Sequence, residues 1–190
     1  YDGKNPPYDE HSRPRPIDTY GETKYQGELF TSSSGLPFII IRLMTMYGWN
    51  NPYERNNPAT WLLKALEKNK TSVHMVTDLF NNFLFAEAAA LAIWRALLLK
   101  KFGESFNIAG KECISRYEFS QEVATVFNLD KNTIYSVTSD FLKNLVTRPK
   151  NTCFNTQKMQ KALGIKPIGI REGLLTMKKH KLELNDWKKL

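Results

Sequence analysis

Leu36-Pro37-Phe38-Ile39-Ile40-Ile41-Arg42-Leu43 is a near-continuous apolar run without alternation. That is how a strand buried on both faces of a parallel sheet reads. Upstream, Ser32-Ser33-Ser34-Gly35 breaks a segment that reads as a helix from its N-cap, Asp18, to about Ser33. A helix followed by a buried strand is the rhythm of an α/β fold. The turn after the strand, Met44-Thr45-Met46-Tyr47-Gly48, then falls where open α/β sheets bind ligands, beyond the carboxyl end of a strand.

The helix before the strand carries Tyr20 and Lys24. Residues four apart share a helix face, so the phenol and the ammonium point into one space. A phenol titrates near ~10 in water, and a neighbouring ammonium favours the phenolate, so such a pair can pass a proton to or from a substrate oxygen. With eight tyrosines in the chain, one Tyr-x-x-x-Lys arises by chance, and an exposed pair on a solvated face is the alternative until its context is read.

Further along, Asn57 and Pro58 open a helix over about Ala59 to Asn69 that places Trp61, Leu62, Ala65 and Leu66 on one side. Ser72 to Val76 is a strand candidate, and Asp78-Leu79-Phe80-Asn81-Asn82 is a turn. Leu84 to Lys101 is the strongest helical signal, apolar almost all round and so expected to pack on both sides. Glu104 to Ala109 reads as a strand, and Ser115-Arg116-Tyr117-Glu118 as a capping box for a helix to about Asn128. Thr133 to Val137 is extended, and Ser139 to Asn144 suits a short helix. A further helix over about Thr156 to Leu163 closes at Gly164, and a last one starts near Ile170. Residues 1–16, with Pro6, Pro7, Pro14 and Pro16, read as an irregular surface loop.

At 190 residues the chain can bury a full core in one or two compact units. It opens on Tyr1 rather than Met and is expected to be a fragment. No apolar run approaches the ~20 residues of a membrane span, so a soluble, cytoplasmic protein with no membrane partner is expected. The net charge of +8 is spread over scattered lysines, and the densest group, Lys178-Lys179-His180-Lys181 with Lys188-Lys189, reads as a solvated tail rather than a nucleic-acid site. Cys113 and Cys153 lack metal-ligand spacing and read as reduced thiols, with one disulfide as the alternative. No metal site is expected.

The segment read as Tyr1-Asp2-Gly3, Asn5-Pro6-Pro7-Tyr8-Asp9-Glu10, Arg13-Pro14, Pro16, Tyr20-Gly21-Glu22-Thr23-Lys24 and Gly27-Glu28 resembles the extended short-chain dehydrogenase/reductases. Within them it is most similar to the branch of dTDP-4-dehydrorhamnose reductase and the related methionine adenosyltransferase beta subunit. The resemblance implies that Tyr20 is the catalytic acid/base, and that Lys24 assists it and holds the nicotinamide ribose. Arg42-x-x-x-x-Tyr47-Gly48 is similar to the block whose first residues pass the nicotinamide, which implies cofactor contacts from Leu43, Met44 and Thr45 and a substrate contact from Tyr47. Packing is the alternative role for Tyr47. The segment after Asn81 and Asn82 is similar to the family's strand-to-helix passage, departing from it at Phe83 and Ala88, and implies substrate contacts from the two asparagines. Arg148-Pro149 resembles the element bordering the nucleotide-sugar pocket, so Arg148 is either a diphosphate contact or a surface arginine on a rigid turn.

The implied fold is α/β: the C-terminal part of a doubly wound Rossmann-like fold (residues 1–48) plus a small α/β substrate-binding lobe (mainly residues 49–190). The implied function is the substrate-binding part of an NAD(P)-dependent reductase of nucleotide-linked keto-sugars. The alternatives are a non-catalytic regulatory or binding subunit and a nucleotide-sugar epimerase or dehydratase. NADP or NAD is the implied cofactor, and a homodimer is allowed. No Gly-x-Gly-x-x-Gly or Gly-x-x-Gly-x-x-Gly occurs, so the turn that seats a pyrophosphate on a helix N-terminus is missing. Weak or no cofactor binding is therefore expected of these residues alone, with an N-terminal Rossmann half as their partner.

Overall fold

The computed structural model describes residues 1–50, 53–69, 72–141 and 148–187. Helix α1 (Thr19–Ser33) begins where the sequence predicts, because the Asp18 carboxylate accepts from the Gly21 amide at 2.7 Å. Strand β1 (Ile39–Leu43) follows, then β2 (Met46–Tyr47), α2 (Pro58–Asn69), β3 (Val73–Val76), β4 (Phe80–Asn81), β5 (Leu84–Phe85) and α3 (Ala86–Leu98). The second half runs β6 (Glu104–Ile108), β7 (Ile114–Ser115), α4 (Arg116–Phe127), β8 (Ile134–Val137), α5 (Gln157–Leu163) and α6 (Ile170–Trp187).

The caps explain most of these boundaries. The Asn57 side-chain oxygen accepts from the amides of Ala59 and Thr60, starting α2. Ser115 and Glu118 form the expected reciprocal capping box at α4, and Gly164, in the left-handed region at φ 67°, ends α5. Of the short helix expected over 139–144, Ser139–Phe141 is a single 3-10 turn and the remainder lies outside the described residues.

Strands pair in twos. β1 and β6 run parallel in the register Ile39↔Glu104 to Leu43↔Ile108; β2 with β5 and β3 with β8 are also parallel, whereas β4 and β7 are antiparallel. The pairing of β1 with β6 crosses the boundary expected at residue 48. One core runs through these layers, built from Phe83, Phe106, Ile108, Phe119, Leu163 and Leu174 among others. Gly110 lets the chain leave β6 against β5's approach, because a Cβ there would run into the Phe83 carbonyl.

Four expectations change. β1 is half-buried along most of its length rather than fully buried, since β6 is its only strand partner among the described residues. α3 packs through one alanine stripe, Ala88, Ala89, Ala92 and Ala96, and its other sides expose Leu91, Trp94 and Leu98. Small residues allow a close approach on one side only; the large apolar ones lie elsewhere on the turn. Trp61, expected inward on α2, is exposed, and Leu63 takes its place in the core. Lys178 is no solvated tail residue: it lies in α6, which packs on α4, and its ammonium donates to the Val126 carbonyl at 2.6 Å. Lys188 and Lys189 lie outside the described residues.

Cys113 and Cys153 are joined in a disulfide, so they are not the reduced thiols expected. The bridge ties the loop before β7 to the segment entering α5, closing a loop with a sequence separation of 40. Chain-entropy arithmetic puts such a closure at about 4 kcal/mol. Cys113→Ser, at the exposed end of the bridge, is expected to lower the unfolding free energy by about that amount in urea denaturation followed by circular dichroism.

Candidate active site

The carboxyl ends of β1 and β6 open onto a cluster of polar groups contributed by four segments. The Met44 amide continues the pairing by donating to Ile108 O at 3.0 Å, and Thr45 O accepts from the Leu84 amide at 2.9 Å. The Thr45 hydroxyl donates to Asn81 Oδ1 at 2.8 Å, which brings two predicted site residues together. On the other side of β4, the Phe80 amide donates to Lys150 O at 2.7 Å, and the Thr152 amide donates to Phe80 O. β4 therefore lies between β7 and the segment 150–152, and Asn81 and Thr152 reach the turn after β1 at Thr45 and Met44.

Tyr20 and Lys24 sit on one face of α1, as the spacing predicts, with the Lys24 ammonium 5.6 Å from the Tyr20 ring centroid. Tyr20 is 72 % exposed, so its phenol is open to a ligand. Among the described residues, neither side chain bonds to the Thr45–Asn81 pair. α1 is held to β1 by an interaction the sequence reading did not single out. Arg42 donates to both carboxylate oxygens of Glu28, at 2.8 and 2.6 Å, and to the Tyr1 hydroxyl at 2.8 Å. The Glu28 hydrogen bond is the main cause that raises the Arg42 pKa, outweighing burial, so the guanidinium stays charged. The signal was available: a lone arginine inside an apolar strand needs a carboxylate, and Glu28 follows Lys24 by the same four-residue step by which Lys24 follows Tyr20.

Two predicted substrate contacts face inward. Tyr47 is buried between Phe85 and Phe119, and its hydroxyl donates to Ile170 O. Burial pushes its phenol above the ordinary range. Its packing role therefore replaces the contact expected of it. Asn82 is likewise buried, with Oδ1 accepting from the Phe154 amide at 2.7 Å, so it fixes the 153–155 segment instead of meeting substrate. Met44 is buried, leaving Leu43 and Thr45 as the accessible side chains of the predicted cofactor turn.

Arg148 is exposed, and its charge reaches Arg116, the first residue of α4. Burial, then the Arg148 guanidinium, lowers the Arg116 pKa. Beside them the Asp78 carboxylate accepts from the Ser139 amide at 2.8 Å and hydroxyl at 2.7 Å and pairs with Lys150 at 3.1 Å.

These residues fit one end of a nicotinamide dinucleotide. Lys24 offers three exposed donors suited to ribose hydroxyls, and Leu43 offers an apolar edge. No glycine turn among the ten glycines fits the pyrophosphate. Among the described residues there is no cluster that could hold a metal ion, and no helix is long and apolar enough to cross a membrane.

Residues 1–182 match the family described as the RmlD substrate binding domain. The chain is 27 % identical over 184 residues to methionine adenosyltransferase 2 subunit beta of Rattus norvegicus, covering 92 % of this chain and 54 % of the relative. It is 26 % identical over 178 residues to dTDP-4-dehydrorhamnose reductase of Aggregatibacter actinomycetemcomitans, covering 88 % and 59 %. The chain thus spans little more than half the length of these relatives. Its fold matches the crystal structure of dTDP-4-dehydrorhamnose reductase from Bacillus anthracis in complex with NADP, with a TM-score of 0.84 at 22 % identity over 95 % of this chain and 62 % of that one. It also matches dTDP-glucose 4,6-dehydratase from the same organism in complex with NAD, at a TM-score of 0.74 and 20 % identity over 97 % and 58 %. The fold is therefore of the Rossmann-like α/β kind found in these reductases and dehydratases.

For Asp78, burial acts upward, but the Ser139 hydroxyl and amide and the Lys150 ammonium outweigh it and hold the carboxyl below its ordinary 3.8. A depressed native value means stability present above pH 3.8 and lost as pH falls through the lower native one. A carbon-detected NMR titration is expected to place the Asp78 midpoint below 3.8, and Asp78→Asn is expected to flatten the acid limb of the stability profile.

Proposed function

This chain belongs to the RmlD substrate binding domain family, and on that premise we propose that it is the substrate-binding and proton-transferring part of an NAD(P)-dependent reductase of nucleotide-linked keto-sugars, similar to dTDP-4-dehydrorhamnose reductase. The observation that carries the reading is the exposed Tyr20–Lys24 pair, set on a helix within the family's matched span.

In this reading the sugar carbonyl lies against α1, and the Tyr20 phenol gives its proton to the carbonyl oxygen as the carbon is reduced. A reduced nicotinamide supplies the hydride when bound; the proton is the chain's own contribution. Lys24 keeps a positive charge beside the ring and binds the ribose hydroxyls. Thr45 and Asn81, already hydrogen-bonded, offer polar edges to the sugar at the end of β1. The bidentate Arg42–Glu28 pair fixes the height of α1 over β1 and so positions Tyr20 without touching substrate.

A second reading is favoured by the similarity to methionine adenosyltransferase 2 subunit beta. In that reading the chain is part of a non-catalytic subunit that binds a methionine adenosyltransferase.

Tyr20→Phe in the full-length protein is expected to lower turnover of a nucleotide-linked keto-sugar with NADPH or NADH by about 10²–10⁴ while leaving ligand binding intact. Equal turnover in wild type and variant would remove Tyr20 from the mechanism. A wild type without turnover that instead co-purifies with a methionine adenosyltransferase would favour the second reading. The 190 residues alone, lacking a glycine turn, are expected to bind either nicotinamide weakly in calorimetry, and micromolar affinity would contradict this.

A further inference from the structure

The disulfide encloses the strand that carries Asn81. β4 is two residues long, and so is β7. On one side β4 pairs with β7 in the register Phe80↔Ser115 and Asn81↔Ile114. On the other, Phe80 bridges Asn151: its amide donates to Lys150 O at 2.7 Å, and its carbonyl accepts from the Thr152 amide at 3.3 Å. Cys113 immediately precedes β7, and Cys153 immediately follows Thr152. The S–S bond therefore joins the two flanks of β4 to each other. Strand pairs this short hold weakly by themselves, so the covalent link keeps both flanks on β4.

The two sulfurs differ in access. Cys113 is exposed, whereas Cys153 is only 2 % exposed. A thiolate arriving from solvent reaches Cys113 Sγ, and Cys153 is then the leaving group. The chain from Cys153 onward has holds of its own: Cys153 O accepts from the Tyr8 amide, the Phe154 amide donates to Asn82 Oδ1, and the Asn155 amide donates to Tyr8 O. α1 is anchored separately, through Glu28 and Arg42. Opening the bridge thus frees the flanks of β4 without freeing residues 153–155 or the Tyr20 helix.

We infer that the Cys113–Cys153 disulfide is a redox latch on the Asn81 side of the site, opened by a dithiol reductant. One thiolate of the reductant attacks Cys113 Sγ and forms a mixed disulfide; the S–S bond breaks, and Cys153 leaves as a thiolate that takes up a proton. The second thiolate of the reductant attacks its own sulfur in the mixed disulfide, and Cys113 leaves in the same way. The protein disulfide gains two electrons and two protons, and the dithiol becomes a disulfide. Closed, the latch holds Asn81 where its Oδ1 accepts from the Thr45 hydroxyl; open, β4 loses its flanks and Asn81 its fixed place. The consequence for catalysis rests on the keto-sugar reading above, in which Asn81 meets the sugar, but the latch itself does not.

The test compares the full-length protein before and after dithiothreitol, with free thiols counted by alkylation and mass spectrometry, and with Cys113→Ser as the bridge-free control. Hydrogen exchange is read at the Phe80 and Thr152 amides. The Met44 amide, which extends the β1–β6 pairing, is the reference in the same sample. In the oxidised protein the three amides are expected to be protected alike; in the reduced protein Phe80 and Thr152 are expected to exchange about 10-fold or more faster than Met44. The KM for the keto-sugar is expected to rise roughly 10-fold with kcat little changed, and reoxidation to restore both. Cys113→Ser is expected to match the reduced protein and to ignore dithiothreitol. A bridge that dithiothreitol leaves intact in the folded protein overturns the latch. So does an equal loss of protection at all three amides, which marks a general staple. Selective exchange at Phe80 and Thr152 with an unchanged KM upholds the latch and overturns the placing of the sugar beside Asn81. The same selective exchange in a protein without turnover upholds the latch and removes the reductase reading.

Discussion

The parallel pairing of β1 with β6 is the constraint on which the rest depends. Two segments far apart in sequence are aligned so that both carboxyl ends stop at one level, Leu43 beside Ile108. A parallel pair cannot be closed by a tight turn, so everything between the strands must leave and return. It does so as β2, α2, β3, β4, β5 and α3, and this excursion carries Asn81 back to the end of β1. The polar cluster is thus a product of topology: residues 44–45, 80–84, 108 and 150–152 converge on it, and the strand ends define where they meet.

Features determined by a few adjacent residues were legible in the sequence. Asp18, Ser115 with Glu118, and Gly164 act through their own backbone and fix helix ends where the pattern says. The Tyr20–Lys24 juxtaposition is equally local, a matter of helical pitch. What was not legible depends on which element lies opposite. Tyr47 and Asn82 look like site residues by position, but each points towards a later segment, α6 for Tyr47 and Phe154 for Asn82, and is absorbed there. α3 looks buried all round by composition, yet its buried residues form a single alanine stripe, while Arg95 and Glu87 reach Leu163 O and His180 from its flanks. The pairing of Cys113 with Cys153 depends on the return of the chain past β4 and β7, which spacing alone does not disclose.

Packing between α6 and the small β2–β5 pair shows how a missing side chain can matter as much as a present one. A Cβ on Gly173 would collide with the Tyr47 hydroxyl, so the glycine lets the phenol lie flush against the helix and donate to Ile170 O. Trp49 reaches the same helix further on, its indole N–H donating to Met177 O at 2.6 Å. The turn that follows β1 is therefore clamped from the side away from the polar cluster. Leu43 and Thr45 face outward because Met44 and Tyr47 are held inward.

The opening loop is secured in a different way. Tyr8 is buried, stacks on Tyr1, and exchanges backbone hydrogen bonds with Cys153 and Asn155, while Asn107 reaches its carbonyl from below. The first residues of the chain thus find their partners among nearly the last to be synthesised before α5. During synthesis the loop ahead of α1 meets Arg42 and Asn107 first, and its backbone pairing is complete only when residue 155 has left the ribosome. The Tyr20 helix can form early, since its cap is local, but the loop leading into it acquires its native seat late. A stall or cleavage between α4 and α5 would leave the Tyr20 helix formed and its leading loop without its pairing to residues 153–155.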